Sequence, residues 1–151
     1  MTIPDKLPIV RMEDYHTHYL GKISDGRLFW GYQTFAFTKP ISEIAEGDDW
    51  RKYRRDYALL HTFDNDGNYL TTKHWSGLAI EINEQQLEDK LEQMASQLGD
   101  IEYQDIEIKL FQTQLDNIVF GLLVDTESKM INLQPSSTIS FQEPWDGEYY
   151  T

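Results

Sequence analysis

Apolar and polar positions along the chain first alternate in runs broken at Asp-Gly pairs. Tyr15 to Ile23 and Arg27 to Phe37 are rich in aromatic and other β-forming residues, with Ser24-Asp25-Gly26 between them. Asp-Gly accepts the positive φ angles of a tight turn, so this pattern predicts a hairpin. A second hairpin is predicted from Tyr57-Ala58-Leu59-Leu60-His61-Thr62-Phe63 and Tyr69 to Trp75, joined by Asp64-Asn65-Asp66-Gly67-Asn68. Between the hairpins, Thr38 to Arg55 carries Pro40, Gly47 and dense charge and reads as a connection with room for a short helix.

The period then changes. Asn83 suits an N-cap, and Gln86 three residues later completes a capping box. Leu87, Leu91, Met94, Ala95 and Leu98 recur at helical spacing, and Gly99 follows where a left-handed C-terminal residue belongs. A helix over about 83–98 is predicted, with Glu84, Glu88, Asp89 and Glu92 facing solvent. Beyond it, Ile101 to Leu110 alternates with Ile106, Ile108 and Leu110 on one face, which predicts a strand. Leu115 to Val124 is more continuously apolar and reads as a central strand covered on both faces. Met130 to Leu133 and Thr138 to Phe141 are shorter strand signals. Helices do not alternate with strands, which argues against a parallel doubly wound sheet. The expected fold is a single α+β domain over residues 1–151. It is mainly antiparallel sheet built from hairpins, with one long amphipathic helix.

Charge narrows the function. The 151 residues hold 26 Asp and Glu against 13 Lys and Arg, a net charge of −13. So acidic a surface repels phosphate backbones, whose binding needs cationic side chains, and it draws in basic partners. The 13% aromatic content supports a packed core despite the charge. There is no Cys, which excludes disulfides, thiolate metal sites and a Cys nucleophile, and which fits a reducing cytoplasm. No run approaches the ~18 apolar residues of a membrane-spanning helix, and no signal peptide is evident.

Candidate chemistry is sparse. All four His residues, His16, His18, His61 and His74, fall in predicted strands. His16 and His18 are two apart and would share a strand face, a geometry open to two metal ligands. A structural zinc site needs four ligands, so a half-exposed strand face is the competing reading, and no permanent metal or other cofactor is expected. Asp64 to Asn68 begins like a calcium loop but puts Gly67 at the fourth position and Trp75 at the twelfth, so a β-turn accounts for it better. Arg51-Lys52-Tyr53-Arg54-Arg55 could grip an anion, or could be neutralised by Glu46, Asp48, Asp49 and Asp56 beside it. The tail from Phe141 to Thr151 mixes Trp145, Tyr149 and Tyr150 with Glu143, Asp146 and Glu148. Those rings could anchor a partner or dock on the protein's own sheet. Phosphate-loop, dinucleotide-binding and nucleophile-elbow motifs are absent.

Five segments together resemble a family of small acidic bacterial proteins, some of which are labelled formate hydrogenlyase regulatory proteins. They are Asp14-Tyr15-His16-Thr17, Leu59-Leu60-His61-Thr62-Phe63-Asp64, Thr72-Lys73-His74-Trp75, Gln134-Pro135-Ser136-Ser137-Thr138-Ile139 and Glu143-Pro144-Trp145-Asp146-Gly147-Glu148-Tyr149. The resemblance spans nearly the whole chain and implies a regulator, with no active site to carry over. The residues show no helix-turn-helix and no basic recognition surface, so direct DNA binding is not expected.

Three functions stay open. The first is an acidic cytoplasmic binding module that caps or modulates a basic protein, as immunity proteins do with toxic nucleases. The second is a regulator acting through protein contacts. The third is a small enzyme, or a metal or ligand binder, using the His-bearing strands. For the first, the expected contact residues are Glu84, Glu88, Asp89 and Glu92 on the helix and Trp145, Asp146, Glu148 and Tyr149 in the tail. Neither nucleic acid nor membrane is an expected partner.

Overall fold

The computed structural model describes residues 2–13, 16–136 and 139–151. Its strands are β1 (Leu7–Ile9), β2 (Tyr19–Ile23), β3 (Leu28–Phe37), β4 (Arg54–Phe63), β5 (Tyr69–Leu78), β6 (Ile101–Tyr103), β7 (Ile106–Ile108), β8 (Gln112–Leu115), β9 (Ile118–Asp125), β10 (Met130–Gln134) and β11 (Ser140–Phe141); the helix α1 is Glu84–Ser96. Five strands form an antiparallel sheet in the order β5-β4-β3-β2-β6. Four form a second in the order β11-β10-β9-β8, and β1 pairs with β7 alone. The protein is an α+β fold built on antiparallel sheets with one helix.

Strand alternation splits the large sheet's side chains between two cores. Leu20, Leu28, Trp30, Tyr32, Tyr57, Leu59 and Phe63 face the smaller sheets, where they meet Ile108, Phe111, Phe120, Leu122, Ile131, Leu133 and Phe141. Tyr19, Phe29, Ala58 and Leu60 face the other way, onto Leu87, Leu91, Met94 and Ala95 of α1. Gly31 lies beneath the helix. A Cβ there would stand 2.9 Å from Leu91 Cδ1 and 3.0 Å from Leu60 Cδ1, so glycine lets the helix settle close to the sheet. Each leucine fully buried in this way contributes roughly 1.5–3 kcal/mol.

The predicted helix is present and ends two residues earlier than expected. Asn83 caps it: its side chain accepts from Gln86 N at 3.0 Å, and Gln86 Oε1 accepts from Asn83 N at 3.0 Å. The helical run ends at Ser96, so Leu98 lies past it, and Gly99 has φ +86°. Both hairpins form as expected, with Gly26 and Gly67 at positive φ. The connection between them contains two 3-10 turns, Ile41–Glu43 and Trp50–Lys52, while Arg54 and Arg55 already belong to β4.

Four expectations need correction. His16 and His18 precede β2 rather than lie in it. Trp30 Nε1 donates to His16 O at 2.7 Å and Arg11 Nε to His18 O at 2.9 Å, so side chains take the carbonyls that a ladder would use. Tyr15, at the head of that predicted strand, lies outside the described residues, as does Thr138, at the head of the strand predicted over Thr138 to Phe141. Ile101 to Leu110 is not one strand: β6 pairs with β2 and β7 with β1. The polar step between them is held by Gln104 N donating to Leu20 O and Asp105 Oδ1 accepting from Arg11 N. The apolar run ending at Val124 is not covered throughout, because Val119 and Val124 are 40% and 38% exposed while Phe120 to Leu122 is enclosed. Finally, Glu88 does not simply face solvent; its carboxylate is bonded to the sheet, as described next. No helix among the described residues is long and apolar enough to cross a membrane.

Candidate functional site

α1 is too short to cover the sheet it packs on. Its 13 residues span about 20 Å, whereas the 10 residues each of β3 and β4 span about 33 Å. The strand ends that pair Phe35 with Asp56 and Phe37 with Arg54 therefore run out beyond the helix N-terminus. A pocket of about 540 Å³ opens there, walled by Glu84, Gln85, Leu87 and Glu88 of α1 and by Gln33, Thr34, Phe35, Arg54 and Asp56 of the strands. That volume lies within the roughly 300–1,000 Å³ usual for ligand sites.

Its polar groups are held in place. Glu88 Oε1 accepts from Tyr19 OH at 2.8 Å, and its Oε2 accepts from Gln33 Nε2 at 3.1 Å. Burial, with the neighbouring Glu88 carboxylate, pushes the Tyr19 hydroxyl above its ordinary pKa. Arg54 lies with its guanidinium carbon 4.6 Å from the Trp50 ring centre and 4.9 Å from that of Phe35. Its Nη2 donates to Asp56 Oδ2 at 3.0 Å, and its Nε stands 2.7 Å from Asp56 Oδ1. Asp56 is only 9% exposed, and the guanidinium of Arg54 balances its buried charge. Glu84 and Gln85 are exposed at the mouth, and Gln85 Nε2 donates to Asp89 Oδ1 at 2.8 Å. Three carboxylates thus face one guanidinium over the apolar side chains of Leu87 and Phe35. Such a lining can receive a cation carried on an apolar stem.

Of the contact residues read from sequence, Glu84 and Glu88 line this pocket, and Asp89 and Glu92 lie exposed further along α1. The tail residues lie elsewhere and dock on the protein itself. Trp145 and Tyr149 pack against the larger core, and Trp145 Nε1 donates to Thr2 O at 2.9 Å. Gly147 O accepts from Val10 N at 3.0 Å, and a Cβ on Gly147 would stand 2.7 Å from Val10 Cγ2. Asp146 and Glu148 remain exposed. Asp146 also lines a smaller hollow of about 310 Å³ with Asp105 and Glu107.

The basic run is compensated internally. Arg51 pairs with Asp49 at 2.7 Å, Lys52 with Asp48 at 3.3 Å and Arg54 with Asp56, while Arg55 Nη1 donates to Ser76 Oγ at 3.2 Å. The Asp64 loop is a turn, in which Asp64 Oδ1 accepts from Asp66 N and Asn68 N, both at 2.9 Å.

The histidines do not converge. His16 packs edge-on to Tyr149, His18 neighbours Arg11, Glu13 and Tyr103, and His74 is exposed on β5. His61 is fully buried, 2.8 Å from Tyr32 Oη through Nε2 and 2.7 Å from Thr72 Oγ1 through Nδ1. Burial alone lowers its pKa from 6.5 to about 3, so the ring is neutral. Among the described residues no three of His, Asp and Glu stand together so as to hold a metal ion.

Asp56, Gln33 and Phe35 are not candidates from sequence, and Arg54 is one only as part of the basic run Arg51–Arg55. Asp56 read as one more acid compensating a basic run, and only the β3–β4 register places it under the end of α1. When the chain is compared with family models, curated proteins and solved structures, nothing matches, so the likeness to the small acidic bacterial family rests on its sequence segments alone.

Proposed function

We propose that this protein is an acidic binding module that caps or modulates a basic partner protein, in the manner of an immunity protein. The observation that carries the reading is the grouping on one helix: α1 exposes Glu84, Asp89 and Glu92 and also supplies Glu88 to the pocket of about 540 Å³ at its N-terminus. The net charge of −13 adds long-range attraction for a cationic surface. The tail contributes exposed Asp146 and Glu148, while Trp145 and Tyr149 pack on the protein's own core. A cytoplasmic setting, with no nucleic acid bound, belongs to the same proposal.

The test starts with capture of partners from the native host. Each captured protein is then purified and its binary affinity measured at several salt concentrations. A basic partner should bind with a strong inverse salt dependence. The double variant Glu84→Lys, Glu92→Lys should slow association at least tenfold and flatten that dependence, as charges at an interface rim do. Association that is indifferent to salt and to this double variant sinks the proposal.

A further inference from the structure

We infer that the pocket beyond the N-terminus of α1 receives one arginine side chain of the partner. This rests on the capping function proposed above and adds its point of specificity. The inference stands on the shape and chemistry of the cavity. The pocket has an apolar wall, Phe35 and Leu87, able to flank an aliphatic stem. Carboxylates stand at two depths: Glu84 at the exposed mouth, and Glu88 and Asp56 further in. Asp56, only 9% exposed, is paired with Arg54 through both carboxylate oxygens, and its charge deepens the negative field of the pocket without offering a free oxygen. Arg54 lies against Phe35 and pairs with Asp56, which leaves Glu84 and Glu88 as the carboxylates whose charge no cation of the pocket balances.

Arginine suits the site better than lysine. A planar fork can donate to two carboxylates at once and lie flat on an aromatic wall, whereas an ammonium is a compact and strongly hydrated point charge. The repulsion from Arg54 is offset because that residue is held in its own ion pair, with Glu84 and Glu88 left in excess.

The test titrates the full-length, isotopically labelled protein with three probes: N-acetyl-arginine amide, the equivalent blocked lysine, and blocked citrulline, the neutral isostere of arginine. Blocked arginine should bind saturably with a Kd on the order of 1 mM. Its largest shifts should fall on the amides of Gln33, Phe35 and Gln85, including both glutamine side chains. Lysine should bind more weakly and citrulline at least tenfold more weakly. Glu84→Gln lies at the exposed mouth and keeps the fold, and it should weaken arginine binding about 2- to 5-fold, the worth of one exposed ion pair. Asp56→Asn should weaken it more, provided its spectrum shows the native fold.

Equal binding of citrulline, shifts centred on the tail or on Arg51–Arg55, or no saturable shift overturns the inference. If a basic partner still binds through α1 in such a case, the capping function stands without this pocket. If blocked arginine fills the pocket but no basic protein binds through α1, the assignment to a partner's side chain falls together with the capping function.

Discussion

Lowering the pH should destabilise this protein through His61 before its carboxylates begin to matter. His61 has no exposed surface, and its neutral ring is bracketed by Tyr32 Oη at 2.8 Å and Thr72 Oγ1 at 2.7 Å. The rings of Phe111, Tyr32 and Phe63 enclose it, the nearest with its centre 4.8 Å away. The folded pKa is about 3, against 6.5 for a free imidazole. Between those values the unfolded chain binds a proton that the native ring refuses, so stability falls as pH falls. The contribution is fully present above about pH 6.5, and the slope below it is about 1.4 kcal/mol per pH unit. From pH 7 to 4.5 the loss is roughly 2–3 kcal/mol, a large share of an ordinary domain's stability. Asp25, Asp48, Asp64 and Asp125 also titrate below their ordinary value of 3.8 because local hydrogen bonds favour their charged forms. Their contributions are lost at lower pH than this window. His61→Phe isolates the imidazole. At pH 7.5 it should cost about 1–3 kcal/mol, because the fully buried Tyr32 hydroxyl loses its partner. The assay is urea unfolding of both proteins from pH 7.5 to 4.5. The gap between them should shrink by about 2–3 kcal/mol across that range. A gap that stays constant with pH would refute the reasoning.

Three further outcomes can be checked on the same footing. Asn83→Ala removes one half of the capping box and should cost about 1 kcal/mol in urea unfolding, with earlier amide exchange in the first turn of α1. Gly121→Ala should fail to reach the native fold, as judged by near-ultraviolet circular dichroism, because φ is +137° and the added Cβ would fall 2.1 Å from Phe111 O. Trp145→Ala should lower the melting temperature by several degrees, at a cost of about 1–3 kcal/mol, since the indole packs on the core and donates to Thr2 O; an unchanged melting temperature would show that the tail adds no stability.

Local signals in the chain determined much of the fold. The Asp-Gly turns, the Asn83–Gln86 capping box and the apolar stripe Leu87, Leu91, Met94, Ala95 each depend on residues a few positions apart, so they can be read from sequence directly. The same holds for charge, which constrains partners without reference to shape. His16 and His18 were misplaced because their neighbours read as strand, while Trp30 and Arg11, distant in sequence, decide what their carbonyls bond. Ile101–Leu110 alternates correctly across its second half, but alternation does not say which sheet a strand joins.

The sequence by itself determined the two Asp-Gly hairpins, the position and cap of α1, the turn at Asp64 and the acidic character of the exposed helix face. Only the tertiary structure decided that Glu88 is tied to Tyr19 and Gln33, that His61 is a buried neutral core residue, and that Trp145 and Tyr149 dock on the protein itself. It alone also made the pocket. A cavity arises where a 13-residue helix meets two longer strands, and its walls come from residues as far apart as Gln33 and Glu88. Period and propensity report on neighbours along the chain, whereas a pocket is a mismatch of lengths between elements that pack face to face, which no local pattern encodes.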